Sequence, residues 1–162
     1  MKHMLESDSN VPKVEDDILE LLDGEVKEAA LKFAAHANVN QLAPKRWRPR
    51  CWKIPHNGCH LCMIQLEPNT WRLTFFFGDY NGKFDERFVA VVHEHVRICT
   101  RCHDGCTFGK DTTVFGKEFK NVCSQLTLQF ENPNNDALEC AKALLEHVKK
   151  NPPGNDSWHA HH

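Results

Sequence analysis

The spacing of apolar residues predicts two helices near the start of the chain. Apolar side chains recur every three or four residues over 14–23, which predicts a short amphipathic helix that ends at Gly24. The same spacing returns from Val26 to Ala37 and predicts a second helix. Residues 6–28 hold nine acidic side chains against two lysines, so we expect this helical hairpin to have a negative outer surface.

The period then changes to that of β-strands. CWKIPH and CHLCMIQL flank Asn57-Gly58, a dipeptide that tolerates positive φ at both centres of a tight hairpin turn. A third strand is predicted over residues 71–77, where apolar and polar positions alternate, and a fourth over residues 126–131. Three of these strands follow one another directly, which favours antiparallel pairing.

Two further helices complete the pattern. Residues 84–95 place five apolar or aromatic side chains on one helical face, and the stripe from Ala137 to Val148 does the same. Asn132-Pro133 is predicted to open the last helix, with Asn as cap and Pro at the first helical position. The order predicts an α+β fold: an antiparallel sheet of about four strands with an N-terminal helical hairpin, a C-terminal helix and a Cys-rich metal-binding loop.

Length and composition favour one domain. A chain of 162 residues can bury a single core, and we place that domain at residues 13–150, between disordered tails at 1–12 and 151–162 that contain histidines. The net charge of -2 gives no global attraction to nucleic acid or to a membrane. The sequence contains neither a membrane span nor the apolar core of a secretory signal, so we expect a cytoplasmic protein without a membrane partner.

The clearest chemical signal is a cluster of four cysteines. Cys99, Cys102, Cys106 and Cys123 are spaced C-x2-C-x3-C-x16-C, and thiols in a reducing compartment stay available as ligands. A C-x2-C turn can direct two thiolates to one ion while a later strand returns another, and zinc prefers four tetrahedral ligands. The spacing therefore predicts a structural zinc site within a loop over residues 99–123.

Other interpretations of this cluster remain open. Iron–sulfur ligation, redox chemistry and unliganded thiols fit the composition, although the spacing differs from that of the ferredoxin run. Cys99 to His103 also reads C-x-x-C-H, the attachment signature of c-type haem, but attachment normally needs export. His103 is an alternative ligand in place of one cysteine.

A second group of potential ligands is Cys51, His56, Cys59, His60 and Cys62. His56 and Cys59 oppose each other across the predicted turn, whereas Cys62 falls on the other pleat face from Cys59. We therefore expect Cys62, like Cys140 on the last helix, to be a small buried hydrophobic residue.

The segment KRWRPRCWK combines five cations with two tryptophans and no acid at residues 45–53. Cations interleaved with stacking surfaces suit phosphate backbones and unpaired bases. The structural alternative, which we favour, has the tryptophans covering the sheet edge while the cations face the acidic helical hairpin.

The segment from CTRCHDGCTFGKDTTVFGKEFKNVC to LTLQFENPNNDALECAKALLE resembles a group of small uncharacterised bacterial proteins. They share a similar cysteine loop, an FGKEF-type stretch and a closing helix after Asn-Pro. The resemblance covers about the last 70 residues. It implies a bacterial domain with a metal site at Cys99, Cys102, Cys106 and Cys123, and no particular reaction.

These observations favour a noncatalytic, zinc-stabilised binding module for a small molecule or protein. G-x-S-x-G, H-E-x-x-H, Walker and dinucleotide glycine motifs do not occur in the sequence. One alternative is a metal-dependent enzyme in which the cysteine cluster is catalytic and Glu118 or Asp104 acts as base. Another is nucleic-acid binding through residues 45–53.

Overall fold

The computed structural model describes residues 11–78, 80–100 and 109–151. Within these residues the chain forms helices and strands in the order α1 (Val14–Leu21), α2 (Gly24–Val39), β1 (Lys45–Arg48), β2 (Cys51–His56), β3 (Cys59–Glu67), β4 (Thr70–Phe76), α3 (Glu86–Glu94), β5 (Lys110–Val114), β6 (Lys117–Val122), β7 (Leu126–Glu131) and α4 (Asn135–Lys150). The predicted α+β class is confirmed.

An antiparallel sheet of order β1-β2-β3-β4-β7 forms the centre of the fold. The predicted hairpin is present, with φ of 50° at Asn57 and 79° at Gly58 in the turn between β2 and β3. The sheet has one strand more than predicted, because residues 45–48 pair with β2 as an edge strand. A separate hairpin, β5-β6, occupies residues that were predicted to be loop.

The helices pack on one face of this sheet. Trp52, Ile64, Leu73 and Phe130 are register partners on successive strands, and each is at most 1% exposed. Together with the apolar stripes of the helices they form one contiguous core. Burying this face removes large apolar side chains from water, which is the main source of stability for such a layer.

Side-chain caps fix where two helices begin. The Asp85 carboxylate accepts from the Phe88 N–H at 2.8 Å, and the Asn134 side chain accepts from the Ala137 N–H at 2.9 Å. The prediction that Asn132 caps the last helix was therefore wrong by two residues. The Asn132 side chain instead accepts from the Trp71 N–H at 3.0 Å, tying the loop to β4.

A short extended run after α3, Val96–Cys99, joins the β5-β6 hairpin to the sheet, and we call it the linking segment. On one side Val96 bridges to Leu128 in β7, and the Arg97 N–H donates to the Thr127 carbonyl. On the other side Ile98 bridges to Val122 in β6. The hairpin is thus attached to the β7 edge of the sheet through this segment.

The sheet face away from the helices carries polar and charged side chains, and we call it the distal face. Its two rows, read from β1 to β7, are Lys45, Lys53, Met63, Thr74 and Gln129, and then Arg48, Cys51, Gln65, Arg72 and Glu131. Met63 and Cys51 are buried but lie outside the apolar core cluster, as expected for the opposite face.

One side-chain hydrogen bond ties α1 to the sheet, and it generates the first prediction. The Trp52 indole N–H donates to an Asp17 carboxylate oxygen at 2.8 Å. A hydrogen bond to a charged group contributes about 1.5–3 kcal/mol. We expect Asp17→Ala to lower the free energy of unfolding by that amount, measured by urea denaturation. Asp16→Ala is the matched control, since Asp16 is exposed in the same first helical turn. Equal losses in both variants would contradict the prediction.

Two buried threonines of the sheet generate the second prediction. The Thr127 hydroxyl hydrogen-bonds Gly78, whereas the Thr74 hydroxyl is buried with no hydrogen-bond partner among the described residues. An unpaired buried hydroxyl costs about 1–3 kcal/mol, so Thr74→Val should leave stability unchanged or raise it by up to that amount. Thr127→Val should lower stability, because it leaves the Gly78 N–H without its partner. Comparable destabilisation by both substitutions in urea melts would contradict this assignment.

Candidate metal centre and distal face

The structure brings two of the four predicted zinc ligands together. The Cys99 N–H donates to the Asn121 carbonyl at 2.7 Å, and the Cys123 N–H donates to the Arg97 carbonyl at 2.8 Å. This register places Cys99 and Cys123 diagonally across the isolated Ile98–Val122 bridge. Such diagonal neighbours lie about 7–8 Å apart between Cα atoms, within reach of two thiols that share one ion.

The other two predicted ligands, Cys102 and Cys106, lie outside the described residues, as does His103. Cys99, just before these residues, and Gly109, just after them, both lie beside Asn121. A Cβ built on Gly109 would lie 2.3 Å from the Asn121 side-chain oxygen, so only glycine allows this approach. Both ends of the intervening segment therefore lie at Asn121.

All four predicted ligands are cysteines. A set of four thiolates suits tetrahedral zinc, and Cys99 and Cys123 are both half-buried rather than enclosed in the core. The donor set therefore fits a zinc ion.

The predicted metal loop is more ordered than its sequence indicated. Val114, Phe115 and Val122 are buried, and the Phe115-Gly116 turn has φ of 44° and 84°. The Asn121 N–H and the Lys120 ammonium lower the pKa of the Asp111 carboxyl, which is paired across the base of the hairpin. The prediction that residues 99–123 form a loop was thus wrong for the part that forms β5 and β6.

Glu118, one of the two predicted catalytic bases, does not have the surroundings expected of a general base. Glu118 is exposed and forms an ion pair with Lys120 at 3.0 Å, and Lys120 also pairs with Asp111. Asp104 lies outside the described residues. The enzyme alternative therefore has no geometric support from Glu118.

The second group of potential ligands is dispersed. Cys62 is completely buried on the helix side, whereas Cys51 is buried on the distal face. His56 and Cys59 are register partners at the turn. Among the described residues, no three His, Cys, Asp or Glu side chains are grouped closely enough to hold a metal ion. Cys62 and Cys140 are buried, as predicted.

The side chains of the basic and aromatic segment 45–53 lie on both faces of the sheet. Trp52 covers the core and donates to Asp17 of the acidic α1, which confirms part of the structural alternative. Trp47, by contrast, is 50% exposed. Within the described residues, the cations of β1 and of the turn after it form no ion pair with the acidic helices; these are Lys45, Arg46, Arg48 and Arg50. That part of the alternative was wrong for Lys45 and Arg48, which lie on the distal face, whereas Arg46 opposes Trp52 on the helix side.

The Trp47 ring contacts two cations at the β1-β2 end of the distal face. The Lys53 ammonium lies 3.8 Å from the centroid of the Trp47 ring, and the Arg48 guanidinium carbon lies 4.1 Å from it. Lys53 is only 5% exposed, and burial lowers the pKa of its ammonium. Arg48 also hydrogen-bonds the Cys51 thiol, although burial is the larger effect and raises the pKa of that thiol.

The remaining cations near the distal face already have partners. Arg72 forms ion pairs with Glu67 at 3.1 Å and with Glu131 at 3.4 Å. The Arg97 guanidinium donates to the Gln129 side-chain oxygen. Positive charge without a carboxylate partner is therefore concentrated at the β1-β2 end.

Two surface clefts lie elsewhere on the molecule. One, of about 290 Å³, is lined by Asp85, Phe88 and Cys140 between α3 and α4. Burial, followed by the nearby Asp136 and Asp85 carboxylates, raises the pKa of the Cys140 thiol, which opposes nucleophilic reactivity. The other, of about 410 Å³, lies between the start of α2 and residues 132–135, and its lining is mostly polar. Neither cleft combines a reactive group with a binding pocket.

No helix in the described part of the chain is long and apolar enough to cross a membrane. Comparison of the chain with models of known protein families, with curated proteins and with solved structures finds no match in any of the three.

Proposed function

We propose that this chain is a noncatalytic binding module, stabilised by zinc at Cys99, Cys102, Cys106 and Cys123, that holds its ligand on the distal face. The observation that carries the proposal is the diagonal placement of Cys99 and Cys123 across the bridge between the linking segment and β6. A metal ion at this point would join the linking segment to the end of β6, at the opposite end of the hairpin from the Tyr80–Val114 bridge.

The position of Cys99 and Cys123 supports a structural role for zinc. The linking segment contacts β6 through one isolated bridge and two backbone hydrogen bonds, which the N–H groups of Cys99 and Cys123 donate. Such a small contact gains stability from an added crosslink, because the ion restricts the unfolded chain. Four thiolate ligands also leave no open coordination position for a substrate.

A binding role, rather than a catalytic one, is supported by the distal face. It presents a half-exposed tryptophan and cations without carboxylate partners among the described residues. Exposed charged and aromatic side chains of this kind are typical of recognition surfaces. The described clefts, by contrast, offer no paired nucleophile and base.

The metal proposal predicts zinc content that depends on Cys123. We expect close to one zinc per chain by elemental mass spectrometry of untagged protein purified without added metal. Cys123→Ser should lose most of this zinc and melt at a lower temperature. Cys59→Ser is the matched control, because Cys59 is also half-buried but lies at the β2-β3 turn. Iron with visible absorbance, or metal-free wild-type protein, would sink the proposal.

A second prediction concerns where the metal stabilises the chain. Removing zinc with a chelator should speed amide hydrogen exchange most at the N–H groups of Arg97, Cys99 and Cys123, which pair across the linking segment. Amides in the centre of β3 and β4 should change far less. Exchange that rises uniformly over the sheet after chelation would argue against a local structural site.

A further inference from the structure

We propose that the β1-β2 end of the distal face binds single-stranded nucleic acid, with phosphates at Lys45 and Arg48 and a base stacked on Trp47. This inference rests on the proposed binding function and names the class of ligand.

The molecule separates its charges between the two sides of the sheet. Residues 14–28 hold seven acidic side chains and one lysine, and they form α1 and the first part of α2 on the helix side. Residues 45–53 hold five cations and no acid, and three of the cations, Lys45, Arg48 and Lys53, lie on the distal face. The distal face therefore has a local positive potential although the net charge of the chain is -2. A polyanion that binds there lies on the opposite side of the sheet from the acidic helices.

The register concentrates cations on that face. Lys45 and Lys53 are direct cross-strand partners, an arrangement in which like charges repel. Arg48, opposite Cys51, lies on the same face one row along. Within the described residues no carboxylate forms an ion pair with any of these three side chains. A phosphate bound at Lys45 and Arg48 would offset this repulsion beyond the cation–π contact that Lys53 already makes with Trp47.

Trp47 supplies the stacking surface, and the exposed Arg48 guanidinium, which lies over its ring at 4.1 Å, would move to a phosphate when a base stacks there. The register of β1 shifts between Arg46 and Arg48, so Trp47 is the extra residue of a bulge. It is the one aromatic among the exposed large hydrophobic residues in the described part of the chain. An exposed indole held beside cations is the combination with which proteins bind unpaired bases and their phosphates. Bases within a duplex are already stacked, so this site favours a single strand.

The experiment is a fluorescence anisotropy titration of zinc-loaded, full-length protein with a labelled 12-nucleotide oligonucleotide of mixed sequence. We expect single-stranded DNA or RNA to bind more tightly than the same sequence as a duplex, with an affinity that falls as salt rises. The double variant Lys45→Ala/Arg48→Ala should weaken binding at least tenfold. Because two phosphate contacts are lost, the slope of log K against log salt should become shallower by about 1.4.

A stacking variant separates aromatic from ionic recognition. Trp47→Ala should weaken binding roughly 5- to 150-fold while the salt slope stays the same, and Trp47→Phe should restore part of the affinity. Arg46→Ala is the control within the same strand, because Arg46 opposes Trp52 and so lies on the helix-side pleat face. The exposed helical cations provide a second control as Lys32→Ala/Lys150→Ala. Both controls should bind as wild type.

Three outcomes would overturn the inference. These are no binding of single strands at low salt, equal loss in the Arg46→Ala control, and equal affinity for duplex DNA, heparin or anionic lipid vesicles. The last outcome would identify a general polyanion surface instead. Each of these results is distinguishable from failure of the proposed function, because zinc content and the Cys123→Ser phenotype are measured independently of nucleic acid.

Discussion

The two-residue period of the antiparallel sheet is the constraint on which the rest of this structure depends. Within β2, Trp52 faces the helices while its neighbours Cys51 and Lys53 face the other way. A slip of one residue in the β2-β3 register would exchange these faces and place the Lys53 ammonium in the apolar core. The Asn57-Gly58 turn sets the pairing of His56 with Cys59 and of Pro55 with His60, and a bulge between Pro55 and Ile54 then shifts the register by one residue. The turn and the bulge together thus determine both the core and the composition of the distal face.

The sequence predicted the elements whose burial follows a simple period. The β2-β3 hairpin, β4, β7 and the four helices all bury one face against the core, and one-sided burial produces readable periodicity. Strand β1 escaped prediction because all four of its residues are exposed and Trp47 interrupts its alternation. The sequence of such a segment has no pattern that distinguishes a buried face from an exposed one, so its pairing is evident only once the partner strand is known.

The β5-β6 hairpin and the helix cap were missed for different reasons. The hairpin turns at Phe115 with φ of 44°, a conformation uncommon for a bulky residue and not signalled by sequence. The last helix offered two asparagines near its start, and the tertiary contact of Asn132 with Trp71 determined which one caps. The spacing of cysteines indicated a shared ion but could not place Cys123, since the 98–122 bridge that positions it is a long-range contact.

The proposed metal site and the distal face meet at one residue. The Arg97 carbonyl accepts from the Cys123 N–H, so its backbone is part of the pairing that a zinc ion would hold. The Arg97 guanidinium reaches Gln129, the last member of the distal-face row that starts at Lys45. A metal that fixes the linking segment would therefore also fix the charge at the β7 end of this row. Because four thiolates would saturate such an ion, and Arg97 pairs with both Cys123 and β7, the coupling would act through the position of the Arg97 side chain. Direct attraction between metal and ligand is not needed for the two sites to depend on each other.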